Sequence, residues 1–215
     1  MLKKPSAKLQ DKIGFLSTEF QQIKKLDKLA QMRHCYTSKL ISKYIPWYSR
    51  VLDIGIGGGR YWSELRGKYD VVGVDLNPGR FVDYVLNLEK ENLEKIGEKF
   101  NFVTMFDVIE HLENPVKALR NIRNVMGKNG LFMGSTPNRF DPYLFVGGTI
   151  HTDHNYVFDK HTIQHLLRKN GFRIVDIKSR VLPIKLSRSR FISADVSKLI
   201  PIGRVVFWIA TLGNM

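Results

Sequence analysis

The stretch from Arg50 to Tyr61, Arg-Val-Leu-Asp-Ile-Gly-Ile-Gly-Gly-Gly-Arg-Tyr, decides the fold. Val51, Leu52 and Ile54 read as a short buried strand, and Asp53 is a carboxylate in an apolar run that needs a partner if it is buried. Gly55, Gly57, Gly58 and Gly59 form a turn with almost no side chains, which lets a ligand approach the backbone closely. A helix is expected to begin near Arg60. Strand, glycine turn and helix together describe a nucleotide-type cofactor site at the carboxyl edge of a parallel sheet.

Outward from this stretch the chain alternates strand and helix. Downstream, Val71 to Val74 is a β-branched run ending at Asp75, about 20 residues beyond the first glycine, where a carboxylate can accept from both hydroxyls of a ribose. Phe81 to Leu88, Phe100 to Phe106, Leu131 to Ser135 and Phe172 to Ile177 are the next expected strands. A helix starts at Asn114-Pro115, with Leu119, Ile122, Val125 and Met126 as its buried stripe and Lys128-Asn129-Gly130 as its stop. A second spans 160–170. Upstream, apolar residues spaced by three and four over 5–30 predict one or two amphipathic helices, and Leu29 to Tyr44 another that ends before Pro46. The prediction is an α/β, doubly wound, mostly parallel Rossmann-like sheet: a helical cap over 1–48, the core over 49–180 and an extension over 181–215, one domain overall.

The 215 residues suffice for a substantial core without staples. One cysteine, Cys35, excludes an internal disulfide and favours a reducing compartment. The opening Met-Leu-Lys-Lys-Pro leads into charged residues, and no apolar run reaches spanning length, so neither a secretory signal nor a membrane span is expected and the cytoplasm is the default. The net charge of +14 resides at the two ends: residues 1–50 hold 11 Lys/Arg against 3 Asp/Glu, residues 178–215 hold 7 against 1, and 51–177 hold 16 of each. Basic ends suit an anionic membrane surface, nucleic acid or an acidic substrate, or are plain solvated faces.

Two cofactor classes compete for the glycine turn. A dinucleotide fingerprint places a packing glycine at the sixth position, and here that position is Arg60. Val51 to Gly59 instead resembles the first motif of the class I S-adenosylmethionine-dependent methyltransferases, and Val71 to Asp75 resembles their second. Phe106 to Pro115, Asn129 to Leu131, Ser135 to Asn138, His154 with Phe158, and Asn170 to Phe172 resemble, in order, the branch containing the ubiquinone-biosynthesis O-methyltransferases. The resemblance implies S-adenosylmethionine bordered by Asp53, Gly55, Ile56, Gly57 and Gly59, its ribose on Asp75 with Leu76 beside it, and Phe106 near the sulfonium. Asn87, Leu88 and Glu89 occupy the position of the family's adenine contacts, although the family often has an aspartate there. Arg33 or Tyr36 on the N-terminal helices are positional candidates for the cofactor carboxylate.

Methyl transfer is an in-line displacement that needs alignment and, for a protonated nucleophile, a base. His154, His111 and His151 are the candidates, and a structural hydrogen bond is the competing role for His111. Asp107, Glu110 and His111 also form a group that by resemblance holds a divalent ion such as Mg, or else acidic residues at a helix start. The tail from Val181 is readable as a final strand plus lid, as a membrane anchor using Phe207 and Trp208 with Arg188, Arg190, Lys198 and Arg204, or as an RNA grip. The function expected is methylation of a hydroxyl on a small or lipid-linked molecule, a quinone precursor or a polysaccharide or lipid intermediate. The alternatives are an RNA methyltransferase and a non-catalytic cofactor-binding subunit. Oligomeric state is not legible.

Overall fold

A computed structural model describes residues 28–65, 67–141, 144, 153–180, 184–185, 191–192 and 203–213. The expected helices over 5–27, and the tail residues Arg188, Arg190 and Lys198, lie outside the described residues. The chain divides into two compact units, Met1–Val85 and Leu86–Met215.

In the first unit, helix α1 spans Lys28–Tyr44 and stops ahead of Pro46. It buries Leu40 and Ile41, and also His34, Thr37 and Ser38. His34 stacks on Tyr61 with ring centroids 5.9 Å apart. Strand β1, Arg50–Ile54, runs parallel to β2, Asp70–Asp75, with Arg50 opposite Asp70 and Ile54 opposite Val74. Four of the five β1 residues are buried, which is why the run shows no polar alternation. The third strand is shorter than the sequence suggests: of Phe81 to Leu88 only β3, Tyr84–Val85, pairs with β2. The reason lies at Gly73, where an added Cβ would stand 2.2 Å from the Phe81 carbonyl oxygen. The chain crosses β2 there in close contact, tied by Gly73 N–H to Asp83 Oδ2 (2.9 Å) and Asp83 N–H to Gly73 O (2.8 Å), and joins the ladder only afterwards.

In the second unit, β4 (Phe100–Phe106) pairs in parallel with β5 (Met126–Pro137). Helix α2, Pro115–Val125, connects them, with the Asn114 side chain accepting from Lys117 N–H at 3.1 Å and Ala118, Leu119, Ile122 and Val125 buried. The expected stop at Lys128-Asn129-Gly130 falls inside β5, because the chain turns extended at Met126 and absorbs 127–130 as an irregularity between the Phe100 and Phe102 pairings. Helix α3, Lys160–Lys169, starts from a reciprocal cap between Asp159 and Thr162, and β6 follows at Phe172–Arg180. A two-stranded pair, β7 (Ile184–Lys185) and β8 (Phe191–Ile192), precedes β9, Val205–Leu212.

Strand β9 corrects one reading of the tail. It is a strand of the sheet interior, lying between β5 and β6 and antiparallel to both. Trp208 is fully buried and Phe207 nearly so, which removes both from the role of membrane anchor. The Trp208 ring lies over Gly134, where an added Cβ would meet its Cζ2 at 2.1 Å. No helix among the described residues is long and apolar enough to cross a membrane.

Candidate functional site

The first unit carries the glycine turn. Gly55 N–H and Ile56 N–H both donate to Val74 O, at 2.8 and 3.2 Å, so the turn is fastened to β2. Gly55, Gly57 and Gly59 have φ of 74°, 50° and 69°, a conformation that L side chains rarely adopt. A Cβ built at Gly57 or Gly58 meets nothing within 4 Å, so backbone is presented to open space. The expected helix after the turn is a six-residue 3-10 segment, Arg60–Leu65, so the site owes its shape to the glycines and not to a helix terminus.

Asp75 sits where β2 meets this turn. Its Oδ2 accepts from Gly57 N–H (2.9 Å) and its Oδ1 from Asn77 N–H (3.0 Å). Each oxygen keeps a further lone pair, so the carboxylate is held in orientation and remains able to accept. Leu76, next in sequence, is 61% exposed. Asp53 is buried, and Trp62 Nε1–H donates to its Oδ2 at 2.9 Å. Sequence reasoning missed Trp62; an indole donor nine residues beyond a carboxylate in an apolar strand was the available signal. Arg33 and Tyr36 flank His34 on α1, the residue that stacks on Tyr61.

In the second unit, Asn87, Leu88 and Glu89 form a self-contained turn. Asn87 Oδ1 accepts from the N–H groups of Glu89 (2.9 Å) and Lys90 (3.2 Å), and Asn87 N–H donates to Glu91 Oε2 at 3.0 Å. That N–H, with the Lys95 ammonium beside it, holds the Glu91 carboxyl below the usual carboxylate range. Leu88 is buried, its carbonyl accepts from Asn121 Nδ2 at 2.7 Å, and a Glu89 carboxylate oxygen accepts from Asn114 N–H. The turn is pinned from three sides.

Beyond β4 the chain bends sharply. Phe106 is buried, and Asp107 adopts φ 55°. Asp107 N–H donates to Ser135 O at 2.9 Å, and Ser135 Oγ–H donates to Asp107 Oδ1 at 2.8 Å. A non-glycine residue in this conformation is kept only where its surroundings impose it, and such residues concentrate at functional sites. The 3-10 turn Ile109–His111 follows, with Glu110 buried and His111 exposed.

Residues 153–156 lie along this turn. Asn155 N–H and Tyr156 N–H donate to Glu110 O (2.8 and 3.1 Å), Asn155 Nδ2 to His111 O (2.8 Å) and Tyr156 Oη to Glu113 O (3.0 Å). His111 Nδ1 is 3.1 Å from Asp153 O, and the His111 and His154 rings meet edge to face at 4.7 Å. Ligand atoms of Glu110, His111 and His154 all lie within 4.8 Å of one another. The group brought together is therefore Glu110–His111–His154, while Asp107, expected beside Glu110 and His111, faces Ser135. His151 lies outside the described residues.

A family model described as a methyltransferase domain matches residues 4–177. A ubiquinone biosynthesis O-methyltransferase from Cereibacter sphaeroides is 28% identical over 193 residues, with 77% of each chain covered. Among solved structures, a SAM-dependent methyltransferase from Thermotoga maritima superposes with a TM-score of 0.63 at 19% identity, covering 92% of this chain and 97% of that one. One from Archaeoglobus fulgidus gives 0.58 at 20% identity, covering 83% and 94%. The structural likeness shows the fold, the mostly parallel doubly wound sheet expected from the strand and helix alternation.

Proposed function

This chain belongs to the methyltransferase-domain family and is an S-adenosylmethionine-dependent methyltransferase, and from that premise we propose that it methylates a hydroxyl group on a small or lipid-linked acceptor. The observation that carries the acceptor chemistry is the Glu110–His111–His154 group, which sets two imidazoles beside a buried carboxylate. The O-methyltransferase name of the relative supports the same reading. A quinone precursor is the leading acceptor class, with polysaccharide or lipid intermediates next.

S-adenosylmethionine, when bound, supplies a methyl group on a sulfonium whose departure leaves a neutral thioether. Asp75, held in orientation by Gly57 N–H, would accept from the ribose hydroxyls, and the open backbone at Gly57 and Gly58 would leave room for the cofactor. Asp53, which accepts from Trp62 Nε1–H, stands two residues before the turn and is the acidic candidate for the cofactor's ammonium. For the acceptor, the second unit offers His154 as the group that would take the hydroxyl proton, with His111, set against Asp153 and the His154 ring, fixing its orientation. Two imidazole nitrogens and a carboxylate also fit a divalent cation, which would lower the hydroxyl pKa at the same place.

Turnover of labelled cofactor against a panel of hydroxylated quinone precursors, glycolipid intermediates and RNA tests the proposal. A labelled O-methyl product, lost in His154→Ala, is expected. Label only in RNA, or none with every acceptor while the cofactor still binds, overturns it. Turnover after exhaustive chelation separates the two uses of the histidine group: retained activity assigns it to proton transfer, and activity restored by added Mg or Mn assigns it to a cation.

A further inference from the structure

At the end of β1 remote from the glycine turn, the first unit exposes two adjacent aromatic side chains. Trp47 is 57% and Tyr48 68% exposed. Tyr48 has φ 65°, one of two positive values on non-glycine residues among those described; the other is Asp107 in the reaction region. The turn that imposes it is stapled from all sides. Tyr48 N–H donates to Lys68 O, Ser49 Oγ–H to Pro46 O at 2.6 Å, Asp70 N–H to Ser49 O at 3.0 Å, and the buried Tyr69 hydroxyl to Ile45 O at 3.1 Å. The backbone is thus held in a disfavoured conformation while both rings face water. Burying them would have been the stabilising choice, so the arrangement calls for a partner.

The surroundings specify its charge. Lys68 Nζ stands 4.7 Å from the Trp47 ring centre and Lys43 Nζ 4.9 Å from that of Tyr44. Lys39, one helical turn before Lys43, is also exposed. The nearby acid, Asp70, is paired with Arg50. An exposed Trp47–Tyr48 pair, with Lys68 over Trp47 and Lys39 and Lys43 on the preceding helix, none of the three lysines in an ion pair among the described residues, matches an anionic lipid surface, in which Trp and Tyr settle at the headgroup level while lysines meet phosphate. A single-stranded nucleic acid fits less well, because the face of Trp47 on which a base would stack already carries the Lys68 ammonium. A second copy of the chain would set like charges against each other.

We propose that the turn Pro46–Ser49, with Lys39, Lys43 and Lys68, docks this protein on anionic membranes. The contact is separate from the acceptor reading and leaves the Gly55–Gly59 turn uncovered, since β1 spans about 16 Å between them. Trp47 is a built-in reporter: of the three tryptophans, Trp62 and Trp208 are buried. The full chain is mixed at low salt with vesicles of phosphatidylcholine alone or with one-third phosphatidylglycerol. Flotation with the anionic vesicles only, quenching of tryptophan fluorescence by brominated lipid, and loss of that quenching in Trp47→Phe are expected. Lys43→Glu/Lys68→Glu should weaken binding about twentyfold or more, at about fivefold for each cation lost, and Trp47→Ser/Tyr48→Ser should abolish quenching while cofactor binding is retained. Absence of flotation overturns the proposal. So does flotation that neither double variant weakens, which would assign lipid contact to the basic chain ends, and so does protection of Trp47 by single-stranded RNA but not by vesicles.

Discussion

Replacing Asp75 by Ala tests the cofactor end most directly. The carboxylate accepts from Gly57 N–H at 2.9 Å and from Asn77 N–H at 3.0 Å, both in exposed surroundings. Water can take over those two donors in the variant, so the loss of folding stability should stay near about 1 kcal/mol. Two ribose hydroxyls donating to the same carboxylate are a different matter, because hydrogen bonds to a charged acceptor contribute about 1.5–3 kcal/mol each and are not fully additive. A net loss of about 2–3 kcal/mol follows, or roughly 30–150-fold in Kd. Asp75→Asn should do nearly as badly, since its amide NH2 must face either a backbone N–H or a ribose hydroxyl that needs an acceptor. The assay is titration calorimetry with S-adenosylmethionine and S-adenosylhomocysteine, alongside urea unfolding of the same samples. An Asp75→Ala protein that folds normally and binds both within threefold of the parent would refute the ribose assignment. A stability loss well above the affinity loss would show that Asp75 serves only to hold the glycine turn.

Trp62→Phe leaves the buried Asp53 carboxylate without its indole donor and should cost about 1.5–3 kcal/mol in urea unfolding; a change below about 0.5 kcal/mol would mean that the bond is not formed in solution. Gly134→Ala drives a methyl group into Trp208 Cζ2 at 2.1 Å and Met105 O at 2.5 Å, so a loss of about 3 kcal/mol or more is expected, read as a lower urea midpoint at unchanged m-value. Asp159→Ala removes the acceptor of His161 N–H (2.8 Å) and Thr162 N–H (2.9 Å) at the start of α3 and should lower stability by about 1–2 kcal/mol, with amide exchange in residues 160–163 speeding up first.

The parts legible in the sequence are those set by neighbours along the chain. β4 runs over the expected Phe100–Phe106, β1 and β2 come within a residue of their expected limits, and α2 begins at its Asn114-Pro115 signal, because period, cap and turn chemistry act over a few residues. The same locality misled at Lys128-Asn129-Gly130, a good stop signal that the pairing of β5 with β4 overrode. It misled again at Phe81 to Leu88, where the approach of Phe81 to Gly73 delays the ladder.

By itself, then, the sequence determined the alternation of strands and helices, the glycine turn with its departure from the dinucleotide pattern at Arg60, and Asp75 at the end of the second strand. Only the tertiary structure decided that Val205–Leu212 enters between β5 and β6, that Trp62 serves Asp53, that His154 joins Glu110 and His111 where Asp107 does not, and that Trp47 and Tyr48 are held out to solvent. The physical reason is range. His154 lies more than forty residues from His111, and β9 some seventy beyond β5, so no periodicity or spacing encodes those encounters. Packing selects them, by burying Trp208 over Gly134 and by closing the hydrogen bonds of residues 153–156 onto Glu110 and His111.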